Sequence, residues 1–205
     1  MKFSKLVLFA ESCFCSEINL NHNKIYNYLK NVNYQKVENP KFNGCYSSLN
    51  YQNVLNEIEE EQQIINEFNK HIDFAIKNHF EYKIDFKIYN LWSTKAEPNS
   101  IGDFHRHANF WLSGVYYPNG TFEDKYYIEF EKSLSDPFLL NTINYNSFNG
   151  EVFKIFVKEG SLLIFPSHQK HRIGYNNTNQ DRYSIAFNIV PIGQTGGKDS
   201  GRYFN

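Results

Sequence analysis

At 205 residues, with 41% hydrophobic and 21% charged side chains, the chain can bury one substantial core, and domain-size statistics favour one domain over two. A formal net charge of −1 provides no global positive field for a phosphate backbone, which disfavours a general nucleic-acid binder. Aromatics at 18%, with 19 Phe and 15 Tyr, suit half-buried pleated surfaces and point to a mainly β protein.

Met1 to Ala10 imitates a signal peptide, but Glu11 interrupts the apolar run early, so it reads as a first strand. No other apolar stretch approaches the roughly 18 residues needed to span a bilayer, and a soluble, cytoplasmic protein is expected. Cys13, Cys15 and Cys45 are odd in number and lack metal-finger spacing, so neither a disulfide framework nor a structural zinc site is indicated. Ile25, Tyr28, Leu29 and Val32 then recur at helical spacing behind a cap at Asn21 or Asn23. After a loop from Asn39 to Gly44, Val54, Ile58, Ile65, Phe68, Ile72 and Ile76 predict a long helix from Asn53 to about His79.

From Tyr82 the period becomes two, with Tyr82, Ile84, Phe86, Ile88 and Asn90 on one face. Further strands are expected at 104–110, 112–117, 126–131, 152–157, 161–165, 171–175 and 183–190, separated by turn signals such as Pro118-Asn119-Gly120 and Asn149-Gly150. Short antiparallel strands preceded by helices suggest a jelly roll with a helical buttress, one domain over residues 1–192. The Gly-rich segment 193–205 reads as a flexible tail, and the polar stretch from Asp136 to Asn149 as a lid, a substrate loop or a surface insertion.

Four of the seven histidines fall in two tight groups, His105-Arg106-His107 and His168-Gln169-Lys170-His171. In an extended segment residues two apart share a side, so the rings of His105 and His107 can converge, and a third ligand is expected from a later strand. His171, following the buried run Leu162-Leu163-Ile164-Phe165, fits that role better than His168. A His-x-His pair by itself recurs by chance in strands; with a third ligand and open positions it indicates a catalytic metal, whose identity imidazoles leave open. Asp103 shares the alternation, so an Asp103/His105/His171 triad is the alternative. On a later strand Arg182 and Ser184 share one face; the guanidinium fork can grip a carboxylate, or pair with Asp181 at the surface. His71 and His79, apart from any cluster, read as solvated or core-edge residues.

The ordered set His105-x-His107, Leu112-Ser113-Gly114-Val115-Tyr116-Tyr117, Gly160 to Ser167, His171 and Arg182 to Asn188 resembles the Fe(II)/2-oxoglutarate oxygenases of bacteria and tailed phages. The resemblance covers Trp92 to Asn188. It implies a double-stranded β-helix of cupin type, ferrous iron on His105, His107 and His171, and 2-oxoglutarate held by Arg182 and Ser184. Tyr116 or Tyr117 faces inward, where its hydroxyl can reach the co-substrate or serve core packing, and Tyr116 is taken as the contact. The resemblance also implies hydroxylation with release of succinate and CO2, supported by ascorbate as reductant. The substrate stays open among a small molecule, a protein side chain and a nucleobase, and a phage-encoded chain would work in the host cytoplasm. The usual carboxylate of the wider superfamily is replaced by His107. A second reading is a cupin-like metal-binding or virion-associated jelly roll without turnover.

Overall fold

The computed structural model describes residues 7, 10–48, 53–120, 125–133, 141–197 and 199–205. Most of the expected first strand at 1–10 and part of the 136–149 connection therefore lie outside the described residues. Eleven strands and two α-helices follow in the order β1 (Phe14–Glu17), α1 (His22–Leu29), β2 (Tyr34–Lys36), β3 (Asn43–Ser48), α2 (Glu61–Phe74), β4 (Asp85–Ile101), β5 (Leu112–Tyr116), β6 (Tyr127–Glu131), β7 (Val152–Phe156), β8 (Ser161–Pro166), β9 (His171–Ile173), β10 (Arg182–Thr195) and β11 (Arg202–Phe204). One sheet runs β1-β8-β5-β10-β4-β3-β2, with β11 attached to β10; a smaller one runs β7-β6-β9. Their ladders are antiparallel throughout, and the two sheets make the expected jelly roll.

The period-two pattern distributes β5, β8 and β10 between two cores, because side chains alternate across a pleat. Leu112, Tyr116, Leu162, Ile164, Ile185 and Phe187 face the helices, where they meet Ile25, Leu29, Phe68 and Ile72. Val115, Tyr117, Leu163 and Phe165 face the smaller sheet and meet Ile128 and Phe130. A strand buried on both faces reads as an unbroken apolar run, which explains Leu162 to Phe165. Gly114 lies opposite Phe187 in register, and a Cβ there would stand 2.2 Å from the Phe187 ring, so the ring fills the space a side chain would need and stacks on Phe68 at 5.3 Å.

Several expectations change in the folded chain. The predicted helix at 53–79 becomes turns as far as Glu60, then α2, then a π-helical turn over Ala75–His79. Tertiary bonding decides its start: Val54 donates its N–H to Leu91 O at 2.9 Å, and Asn53 Oδ1 accepts from Leu55 N, so Val54 and Leu55 are buried without a helix. In the other helix, the cap reading is met by Asn21, whose Oδ1 accepts from Lys24 N.

The strand expected to end near Asn90 continues to Ile101, with Pro98 falling in the register break between the Asn43↔Ile101 and Cys45↔Ala96 pairs, where no ladder N–H is required. The strand expected at 104–110 is reduced to a single bridge at His105, because the chain turns at Ala108 and Asn109, the latter at φ 68°. Residues 193–205, expected as a flexible tail, contain a short hairpin in which Gln194 pairs with Tyr203; Gly193 and Gly196, both at positive φ, suit the bends that Gly content alone suggested as looseness. Among the described residues no helix is long and apolar enough to cross a membrane.

Candidate active site

His105 and His171 exchange both backbone bonds, His105 N to His171 O at 3.0 Å and His171 N to His105 O at 2.9 Å. Directly opposed residues of such a pair send their side chains to the same face, so the main chain itself brings two imidazoles from distant stretches together. His107 is fixed in turn by its N–H to Ser167 O at 3.0 Å. The ring centroids lie 4.5 Å (His105 to His171), 5.1 Å (His107 to His171) and 5.4 Å (His105 to His107) apart, and one ligand nitrogen from each ring lies within 4.8 Å of the other two.

Each Nδ1 is already engaged. His105 Nδ1 meets Asp103 O at 2.9 Å, His171 Nδ1 meets Gln169 O at 3.0 Å, and His107 Nδ1 meets Asn188 Oδ1 at 2.6 Å. A carbonyl oxygen only accepts, so each Nδ1 carries the proton and each Nε2 keeps its lone pair. Burial pushes all three imidazoles below their ordinary value, and His171 furthest, with His105 and His107 adding repulsion. Three neutral rings with free Nε2 lone pairs and oriented partners are what a divalent transition metal requires of its ligands, so the residues fit ferrous iron.

The same shifts make the metal-free fold pH-sensitive. A histidine with a lowered folded pKa takes up a proton first in the unfolded chain, so stability is full above the ordinary value of 6.5 and declines as pH falls below it. The Tm of the chelator-treated protein is therefore expected to drop between about pH 7 and about pH 5, and less steeply in His171→Asn; equal slopes would contradict this origin.

Further along the face of β10 that carries Asn188 lies Arg182, only 3% exposed. Its guanidinium donates to Tyr127 O at 2.8 Å and to the Tyr117 hydroxyl at 3.4 Å, and its centre lies 5.1 Å from the Tyr117 ring. Asp181, the surface partner considered from sequence, pairs with Lys95 at 3.2 Å. Among the described residues no carboxylate comes within ion-pair distance of Arg182. A buried guanidinium met only by neutral acceptors is poised for an incoming anion. Ser184, on the same strand face, is buried with its Oγ 2.6 Å from Thr94 Oγ1.

Residues 90–188 match the family model described as "Putative 2OG-Fe(II) oxygenase". They form a 2OG-Fe(II) oxygenase domain. No curated protein matches the chain. Among solved structures it is similar to HygX from Streptomyces hygroscopicus with nickel, 2-oxoglutarate and hygromycin B bound (10% identity, 88% of this chain and 83% of that one, TM-score 0.61). It is also similar to a prolyl-4-hydroxylase from Pseudomonas putida (12%, 88% and 92%, 0.58) and to a Trichoplax adhaerens prolyl hydroxylase in complex with a hypoxia inducible factor peptide fragment (14%, 87% and 83%, 0.57). At such identities these likenesses show the shared fold.

The structure separates the two tyrosines at the end of β5 that neighbour this region. Tyr116 faces the helices, 0% exposed, with its hydroxyl 2.6 Å from His22 Nδ1 and away from Arg182. Tyr117 is the one that meets Arg182, since one step along a strand reverses the face. Asp103, the alternative ligand, is outside the cluster; its carboxylate lies 3.9 Å from Lys41 Nζ, and its backbone oxygen serves His105. His168 is exposed and likewise outside it.

Two polar side chains outside the expected ligand set, Asn188 and Ser113, hold His107. Ser113 Oγ donates to Asn188 Oδ1 at 2.9 Å and lies 3.1 Å from His107 Nδ1, so together they set that ring's tautomer. The signal was their parity with Arg182 and Val115 on strands already identified. Trp92 and Phe42 rest against His107 and His105, each at 5.5 Å between centroids. Tyr117→Phe is expected to raise the KM for 2-oxoglutarate up to about 10-fold, the worth of one hydrogen bond, whereas Tyr116→Phe leaves it unchanged and costs about 1 kcal/mol of stability. Steady-state kinetics and denaturant melts check the pair.

Proposed function

We propose that the protein hydroxylates an organic substrate, with His105, His107 and His171 holding Fe(II) through Nε2 and Arg182 binding the far carboxylate of 2-oxoglutarate. The observation that carries this reading is the coexistence, within one jelly roll, of three neutral convergent imidazoles and a buried guanidinium with no carboxylate partner among the described residues. Bound there, ferrous iron and 2-oxoglutarate supply, with dioxygen, the oxidising power that exchanges a substrate C–H hydrogen for hydroxyl as the keto acid leaves as succinate and CO2.

The chain's own residues have five tasks in this reading. Asp103 O, Gln169 O and Asn188 Oδ1 hold the Nδ1 protons, which keeps the Nε2 lone pairs aimed inward. Arg182 neutralises the carboxylate and orients it through its fork. Tyr117, whose phenol burial keeps protonated, accepts from Arg182 and retains its own O–H to donate to that carboxylate. Ser184 adds a hydroxyl beside it. Phe165 and Phe130 line the inner wall next to His171, excluding water from the ligand nitrogens.

Incubation with iron, ascorbate and labelled 2-oxoglutarate tests the reading. Succinate release that depends on iron and on Arg182 supports it. A metal-loaded protein that releases none supports the binding jelly roll without turnover.

A further inference from the structure

Two cysteines that the oxygenase chemistry does not use stand together at the sheet edge. Cys13 and Cys15 flank Phe14, whose ring points the other way, against Phe74 at 5.9 Å and His79 at 5.6 Å. Alternation therefore places both thiols on the opposite face of the chain, and their sulfurs lie 3.9 Å apart. The two environments differ. Cys13 is half-buried against the core between the sheets, whereas Cys15 is exposed and lines a groove of roughly 680 Å³ between β1, β8 and the edge of β7. Exposure favours Cys15 as the attacking sulfur, and the neighbouring thiol acts in the same sense, lowering Cys15 while Cys15 and burial raise Cys13.

We propose that Cys13 and Cys15 form a reversible dithiol–disulfide site, oxidised by a hydroperoxide entering from the groove and reduced by small thiols. The Cys15 thiolate attacks one peroxide oxygen; the O–O bond breaks, leaving a sulfenic acid on Cys15 and, for hydrogen peroxide, hydroxide that takes a proton to become water. Cys13 then gives up its proton and attacks the Cys15 sulfur; the S–O bond breaks and a second water leaves. Two thiols are oxidised by two electrons and one peroxide is reduced to two waters.

The sulfurs must close from 3.9 Å to about 2.0 Å. Cys13 precedes the first ladder pair, Phe14↔Ile164, so its backbone is free of β1's cross-strand register and can supply that movement. Residues two apart on an extended chain have Cα atoms about 6.6 Å apart, near the upper limit for a disulfide, which makes the bond readily reducible. Cys45, buried in β3, provides an internal control.

The test treats the full chain with hydrogen peroxide, alkylates it under denaturing conditions and maps labels by mass spectrometry. Labelling is expected to fall from three cysteines to one, Cys45, with the peptide holding Cys13 and Cys15 lighter by two hydrogens and restored by dithiothreitol. Cys13→Ser and Cys15→Ser should each abolish that species. A Cys15 that proceeds irreversibly to sulfinic acid in the native chain, a disulfide joining two chains on a non-reducing gel, or Cys45 oxidised at the same rate would each overturn the proposal. The readout is independent of oxygenase turnover.

Discussion

Replacing Arg182 by leucine is expected to remove 2-oxoglutarate-dependent succinate release, with the KM for the keto acid rising by roughly 100-fold or more, while the folded protein melts no lower than before. The two effects have one cause. Arg182 is 3% exposed and is met by Tyr127 O and the Tyr117 hydroxyl, both neutral, so the free protein bears the cost of an unpaired buried charge. Leucine relieves that cost and at the same time removes the charged fork that, in the proposed reading, holds the carboxylate. Arg182→Lys keeps the charge but loses the fork, and should fall between the two. Thermal melts and steady-state kinetics on the same preparations check the split; undiminished turnover by Arg182→Leu would show that the anchor lies elsewhere.

Alanine at His105, His107 or His171 is expected to weaken iron binding by more than about 100-fold each, and Asp103→Ala to leave it unchanged, in anaerobic titrations followed by metal analysis. His171→Ala should be the most damaging: it is the most buried of the three, 6% exposed, and no neighbouring side chain among the described cluster can replace its nitrogen. Asn188→Ala acts one step removed, by releasing His107 Nδ1, and should cost about 10- to 100-fold. An Asp103→Ala protein that binds no iron would reverse the ligand assignment.

The sequence was most informative where local pattern and burial agree. Leu162 to Phe165 and Tyr183 to Ile189 announce strands because both faces are covered, and the paired and distal histidines are recognisable because imidazoles are scarce and clustered. Tyr116 against Tyr117 was a question of parity: both are buried aromatics, and only the register with Ile185 and Leu162 decides which faces Arg182. The start of α2 was hidden for a different reason. Val54 and Ile58 keep helical spacing, yet their segment bonds to Leu91, a contact between residues far apart in the chain that no local window contains. The length of β4 was hidden in the same way: the period-two pattern lapses after Asn90, and only pairing with β3 and β10 carries the strand on to Ile101.

The reciprocal backbone bridge between His105 and His171 tethers the two rings through atoms that no side-chain substitution removes. A cysteine or carboxylate exchanged for either histidine would therefore still face its partner across the same pair of bonds, which makes this bridge a ready frame for varying the donor set.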